Sequence, residues 1–204
     1  GNYTVTDAFT GLDLSSVSAD NLDTAATTWA DRAKTAQGKL TDSEGNTVIN
    51  PTETVTLQNG RGYKDKLKTG LYLVDTPKVI TTNYTYTFTP YLVSLPTNNY
   101  YSGNGASDDW IYNLTGSNAV GLKPEEHVRY GDLVINKELV DHNATFGNNA
   151  TFVFQIDITT LDKKTETRIE ELTFSAAGND SVTIKKIPAG STVVVKEIYS
   201  GASY

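Results

Sequence analysis

Phe152, Phe154, Ile156 and Ile158 sit on every second residue of one run, and nothing else in the sequence constrains the fold as tightly. Strand side chains alternate between two faces, so this run buries one face and leaves the other for solvent. The same period of two recurs around it. Leu133, Ile135, Lys137 and Leu139 share a face, followed by Leu172 with Phe174 and Val182 with Ile184. Val193, Val195 and Glu197 close the series. Short strands of this kind, over about 75 residues, predict a β-sandwich.

The first part of the chain reads as β too. Thr, Tyr and Val favour strands, while Asn and Gly favour the turns between them. Tyrosines outnumber phenylalanines twelve to six, as expected of many half-exposed strands. Tyr84-Thr85-Tyr86-Thr87-Phe88 alternates as a sheet with one wet face does. Strands are predicted at 3–6, 53–57, 71–75, 84–95 and 110–114. Phe9, Leu12 and Leu14 are expected in a loop packed on the core. One segment departs from this texture. Between Asn21 and Lys39, Leu22, Ala25, Ala26, Trp29, Ala30 and Ala33 recur at helical spacing, which predicts an amphipathic helix packed on a sheet through Trp29. Thr41-Asp42-Ser43-Glu44-Gly45-Asn46 is acidic, but it lacks the EF-hand spacing and reads as a hairpin turn.

A boundary is expected near Pro124–Gly131, where Lys123-Pro124-Glu125-Glu126-His127 is polar and carries a proline, as linkers often do. The domains are then 1–129 and 130–204. An internal repeat supports two related halves. Lys66-Leu67-Lys68-Thr69-Gly70 parallels Lys186-Ile187-Pro188-Ala189-Gly190, and each precedes an apolar strand ending in a carboxylate, Asp75 or Glu197.

Composition removes several function classes. There is no cysteine, hence no disulfide, thiolate metal site or Cys nucleophile. The only imidazoles are His127 and His142, without ligand spacing, so neither a metal nor another cofactor is expected. A formal net charge of −7 argues against a nucleic-acid partner. No apolar run approaches the roughly 20 residues of a membrane span. Methionine is absent as well, and the chain reads as a piece excised from a longer protein.

The residue with the most chemical meaning is Lys137, on the apolar face between Ile135 and Leu139. Lysine is seldom buried without a partner. Burial favours the neutral amine, which is a nucleophile. Glu197 lies inward after Val193 and Val195, where a carboxyl can shuttle protons. On pattern alone, Lys137 either plays that role, snorkels out at a sheet edge, or forms an ordinary ion pair with Glu197.

The stretch Ser191 to Tyr204, with Val193-Val194-Val195-Lys196-Glu197-Ile198-Tyr199 at its centre, resembles the E-box of Gram-positive pilins. Lys137, in Asp132-Leu133-Val134-Ile135-Asn136-Lys137, is similar to the first-strand lysine of CnaB-type domains. Gly70-Leu71-Tyr72-Leu73-Val74-Asp75-Thr76 resembles a further E-box with Asp in place of Glu. Pro90-Tyr91-Leu92-Val93-Ser94-Leu95-Pro96 is similar to a segment of pilin N-terminal domains. Trp110-Ile111-Tyr112-Asn113-Leu114 with Val120-Gly121-Leu122-Lys123-Pro124 resembles the pilin motif, although here Lys precedes Pro.

The resemblance implies a mainly β chain of two tandem immunoglobulin-like, CnaB-type sandwiches, the first with one inserted helix. It implies an intramolecular isopeptide bond from Lys137 to an Asn on a last strand, promoted by Glu197. That Asn is expected beyond Tyr204, and the first domain is expected to lack its first strand. Asp75 would be the first-domain counterpart of Glu197, or else a buried, hydrogen-bonded aspartate. Lys123 would be the acceptor to which a class C sortase joins the next subunit, or else a linker lysine. The expected function is a structural, non-enzymatic subunit of a homopolymeric, wall-attached, extracellular pilus. The alternative is a surface adhesin or tip pilin that binds host matrix or glycan. The aromatic loop Asn98–Gly105 is a further place for such a ligand, or simply a surface loop. Six Asn-x-Ser/Thr sequons, beginning at Asn2, Asn83, Asn113, Asn143, Asn149 and Asn179, follow from an Asn- and Thr-rich composition.

Overall fold

The computed structural model describes residues 3–14, 22–98, 110–143, 145 and 149–200. The chain is mainly β, with one α-helix among the described residues, α1 (Leu22–Gln37). The strands are β1 (Gly70–Val74), β2 (Val79–Ile80), β3 (Tyr84–Phe88), β4 (Tyr91–Leu95), β5 (Thr97–Asn98) and β6 (Trp110–Ile111). They continue as β7 (Pro124–Val128), β8 (Tyr130–Leu139), β9 (Ala150–Thr159), β10 (Thr165–Phe174), β11 (Gly178–Pro188) and β12 (Thr192–Ser200). They form several small sheets and no closed barrel among the described residues. Two compact units result. One comprises Gly1–Lys78 with Thr87–Glu125, the other Val79–Tyr86 with Glu126–Tyr204.

In the first unit, β1 and β4 pair antiparallel from Gly70↔Leu95 to Val74↔Tyr91. The helix packs against this pair. The helix appears where the 3.6-residue period placed it, and among its described side chains Arg32, Ala33 and Ala36 are buried. Trp29 is only half-buried, and its ring stands edge-on to Tyr3 with centroids 6.5 Å apart. Residues 84–95 divide into β3 and β4 at the buried Pro90, which has no N–H for a ladder.

Two expected strands do not form. Tyr3–Thr6 has no ladder partner and runs into a single 3₁₀ turn, Asp7–Phe9. It is tied down by side chains instead, with Tyr3 Oη donating to Ser94 Oγ at 2.8 Å. Leu12 just beyond is buried, while Phe9 and Leu14 are half-buried. Residues 53–57 also make no strand. The only pairing nearby is one bridge, Gln58↔Arg61, closed by Asn59 and Gly60 at φ of 52° and 76°. Positive φ at both central residues defines the tight hairpin turn of type I′. Val55 and Leu57 stay exposed there, so burial adds nothing to hold a longer ladder. Of 110–114, only Trp110–Ile111 is a strand. Thr41–Thr47 does turn back on itself through one bridge, with Asp42 Oδ1 accepting from the backbone N–H of Glu44 and Asn46.

In the second unit, β8 and β11 form a two-stranded sheet, and β10-β9-β12 a three-stranded one. All pairings are antiparallel. Between the two sheets lies a core of Phe152, Phe154, Ile156, Ile158, Leu172, Phe174, Ile184 and Ile187, with Leu133, Ile135, Leu139, Val182 and Val193 against it. Ile156, Ile158 and Ile184 are fully buried. These are the residues that the period of two placed inside, and their burial is the main source of stability for the unit. The segment Lys123–His127, read as a linker, instead enters a strand at Pro124. The turn at Thr81–Asn83 is fastened to this unit by Arg129. Its Nη1 donates to Thr81 O at 2.7 Å and Thr82 O at 3.2 Å, and its backbone N–H donates to Asn83 O at 2.9 Å.

Candidate functional site

The two sheets of the second unit differ in width, and that difference creates the site. Register fixes which way each strand faces. Val193 pairs with Ile158, Val195 with Ile156 and Glu197 with Phe154, so all three point toward the core side of β12. Yet Val195 is 40% exposed. A two-stranded sheet does not cover a three-stranded one. One edge of β8 is paired with β11, and among the described residues no strand is hydrogen-bonded to the other edge. That edge offers free backbone N–H and C=O groups.

Lys137 and Glu197 meet at this uncovered margin. Lys137 is on β8, paired across the ladder with Asp180 of β11. Its Nζ donates to Glu197 Oε2 at 2.8 Å. The same ammonium lies over the Phe152 ring, 4.4 Å from the centroid. The two side chains retain 24% and 31% of their exposure. A half-exposed ion pair of this kind contributes little to stability, at most about 1 kcal/mol. The aromatic face adds a comparable cation–π attraction. Chemically, the arrangement presents a primary amine, a carboxylate in hydrogen-bond contact with it, and an apolar floor.

Asp75 and Lys123 belong to the first unit. Asp75, just after β1, is exposed, and its Oδ1 accepts from Gln37 Nε2 of α1 at 2.6 Å. It is therefore a hydrogen-bonded aspartate, but not a buried one. Lys123 is exposed, and its backbone carbonyl accepts from Thr89 N–H at 3.4 Å. Most of the loop Asn98–Gly105 and the end of the chain from Gly201 lie outside the described residues. No group of His, Asp and Glu among the described residues is arranged to hold a metal ion. No helix among them is long and apolar enough to cross a membrane.

Sequence reading did not single out Phe152 as the floor of the site or Gln37 as the partner of Asp75. The alternation at 152–158 already put Phe152 inward, but only the register shows that it lies under Lys137. Gln37 and Asp75 are 38 residues apart, and no local pattern joins them.

Away from the site, several carboxylates are held ionised by their neighbours. Asp157 on the outer face of β9 is lowered from its ordinary range, mostly by the hydroxyl of Thr167, then by Gln155 and Lys196. Asp162, in the β9–β10 turn, is lowered to about 2 by Lys164 and by the Thr160 hydroxyl.

Comparison with curated proteins and with solved structures finds no match for this chain. Residues 133–204 are similar to a family described only as a domain of unknown function, DUF5979, and that match contains both Lys137 and Glu197.

Proposed function

We propose that this chain is a structural subunit of a covalently polymerised pilus on a Gram-positive cell surface. In this reading its second unit is an immunoglobulin-like, CnaB-type sandwich closed by a Lys–Asn isopeptide bond. One observation carries the proposal: the contact between Lys137 and Glu197, at the margin where the narrower sheet leaves β12 uncovered. A strand added beside β8 would cover Val195 and bring a side-chain amide to Lys137.

The reaction needs the neutral amine. Covering the pair removes water, which disfavours both charges and drives the Lys137 proton onto Glu197. The amine nitrogen then attacks the Asn side-chain carbon, and a new C–N bond forms. Glu197 carries a proton to the departing nitrogen, and the old C–N bond breaks. One ammonia leaves, and Glu197 keeps one of the original ammonium protons until it passes to solvent. The bond forms once per molecule, so the chain is not a turnover enzyme. Joining a first and a last strand prevents pulling on the chain from unzipping the sheet. Cysteine is absent, and such a bond resists every reductant that would open a disulfide.

Tandem mass spectrometry of native, wall-derived protein tests this reading. A branched peptide joining Lys137 to an Asn, lighter by one ammonia, is expected. Unbranched peptides covering Lys137 would overturn it. A branch from Lys123 to a foreign C-terminal Thr would establish a polymerising shaft. The second reading is a tip adhesin, favoured by the exposed rings of Trp110 and Tyr112 on the first unit, which offer flat faces for a sugar. In that case Lys137 is branched and Lys123 is not.

A further inference from the structure

We infer that a cleft beside Gly131 is a side-chain subsite for the strand that closes the second unit. It takes one large apolar residue, aromatic or branched aliphatic, six positions along that strand from the residue facing Lys137. The inference rests on the closing strand proposed above.

The argument begins with β8 itself. Its inward positions are Leu139, Lys137, Ile135 and Leu133, and the next in the series is Gly131, opposite the buried Ile187. The series therefore ends in a missing side chain. A Cβ built on Gly131 meets nothing within 4 Å. The space is part of a cleft of about 340 Å³, with an apolar part made by Leu133, Ile187 and Val193 and a polar rim that includes Thr82, Arg129 and Asp132. Its walls come from both sheets, β8 and β11 on one side and β12 on the other. The Ser191 hydroxyl is buried in this wall without a hydrogen-bond partner. The cleft and the Lys137–Glu197 pair thus lie at two points along the same two strands, β8 and β12.

An added strand would place a residue directly beside Gly131 and facing the same way, with its side chain about 5 Å from the glycine. Large side chains commonly lean over a glycine on the neighbouring strand. Six is an even number, so the residue beside Gly131 and the residue beside Lys137 share the inward face. The subsite and the reacting pair therefore read the same strand at two points. Together they select a sequence and a register, because a slip of one residue turns both side chains outward.

The test uses the 204-residue protein and synthetic peptides of alternating Val and Thr bearing one Asn. Phe or Ala stands six positions from the Asn, on either side in separate peptides. Fluorescence anisotropy with the Lys137→Ala variant reads binding without the covalent step. In one of the two directions the Phe peptide is expected to bind at least about tenfold more tightly than its Ala counterpart, equivalent to about 1.4 kcal/mol. Gly131→Leu fills the cleft from within and should erase that preference while the protein remains folded. Equal binding of Phe and Ala peptides, a preference that survives Gly131→Leu, or dimerisation of the protein in place of peptide binding would each overturn the subsite. Mass spectrometry of the same peptides on the unsubstituted protein reads the branched product separately. No product with a retained Phe preference would sink the isopeptide reading and keep the subsite. Product formed equally with Phe and Ala would do the reverse.

Discussion

Lys66 and Lys186 hold the same left-handed backbone conformation, with φ of 59° and 58°. They open the two segments that read alike in sequence, and each leads through a glycine into an apolar strand and then a carboxylate. Few residues other than glycine adopt this conformation, so its occurrence at matching positions gives the internal repeat a backbone counterpart. The carboxylates differ in partner. Asp75 accepts from the Gln37 amide, and Glu197 from the Lys137 ammonium. Only the second holds the amine that a cross-link requires.

The left-handed turn at Lys186 is expected to resist branching at Cβ. Lys186 sits at the β-bulge of β11, where its backbone N–H donates to Asp132 Oδ1 at 3.0 Å. Lys186→Val should cost about 1–2 kcal/mol in urea unfolding, while Lys186→Gly should be neutral or slightly stabilising. Equal destabilisation by both would mean that the side chain, and not the backbone, matters there.

If the second unit is closed by the proposed isopeptide bond, Glu197 is expected to be dispensable for folding and indispensable for that bond. Glu197→Gln preserves the shape of the side chain and removes the proton carrier. It should leave Lys137 unbranched, and Lys137→Ala should remove the attachment point itself. Both variants should lose stability comparable to that of a lost disulfide, about 2–4 kcal/mol. Normal branching in the Gln variant would remove Glu197 from the chemistry.

The acid limb of stability is expected to pass through the β9–β10 turn. Asp162 is lowered from its ordinary 3.8 to about 2, first by Lys164 and then by Thr160. A carboxyl depressed on folding stabilises the protein above its unfolded pKa. That contribution is whole above about pH 4 and disappears as pH falls toward 2. Carboxyl-detected NMR should show Asp162 titrating below the other exposed aspartates. Lys164→Ala should bring it back toward 3.8.

The centre of the second unit is expected to tolerate little change. Ile156 has no exposed surface, lies in the middle strand of its sheet and faces the β8–β11 pair. Ile156→Val should cost about 0.5–1.5 kcal/mol and Ile156→Ala about 2–5 kcal/mol. Chemical denaturation of the purified protein checks both.

What could be read in the sequence follows from how local each signal is. The inward faces of β8 to β12 were legible because a period of two is written in consecutive residues. The helix was legible for the same reason. Tyr3–Thr6 and 53–57 have strand-like composition, but a strand exists only when a second segment pairs with it. Lys137 and Glu197 could each be placed inward on pattern. Their meeting across 60 residues depends on the register of two sheets, which no single strand records.

Among the described residues the edge of β8 away from β11 has no strand partner, which bears on how the protein must be handled in solution. It carries ten residues with no proline and an exposed Val134. Such an edge pairs with whatever strand arrives first, including the same edge of another copy. Time spent in that state is time available for self-association. Occupation of the edge by a partner strand would protect yield and solubility.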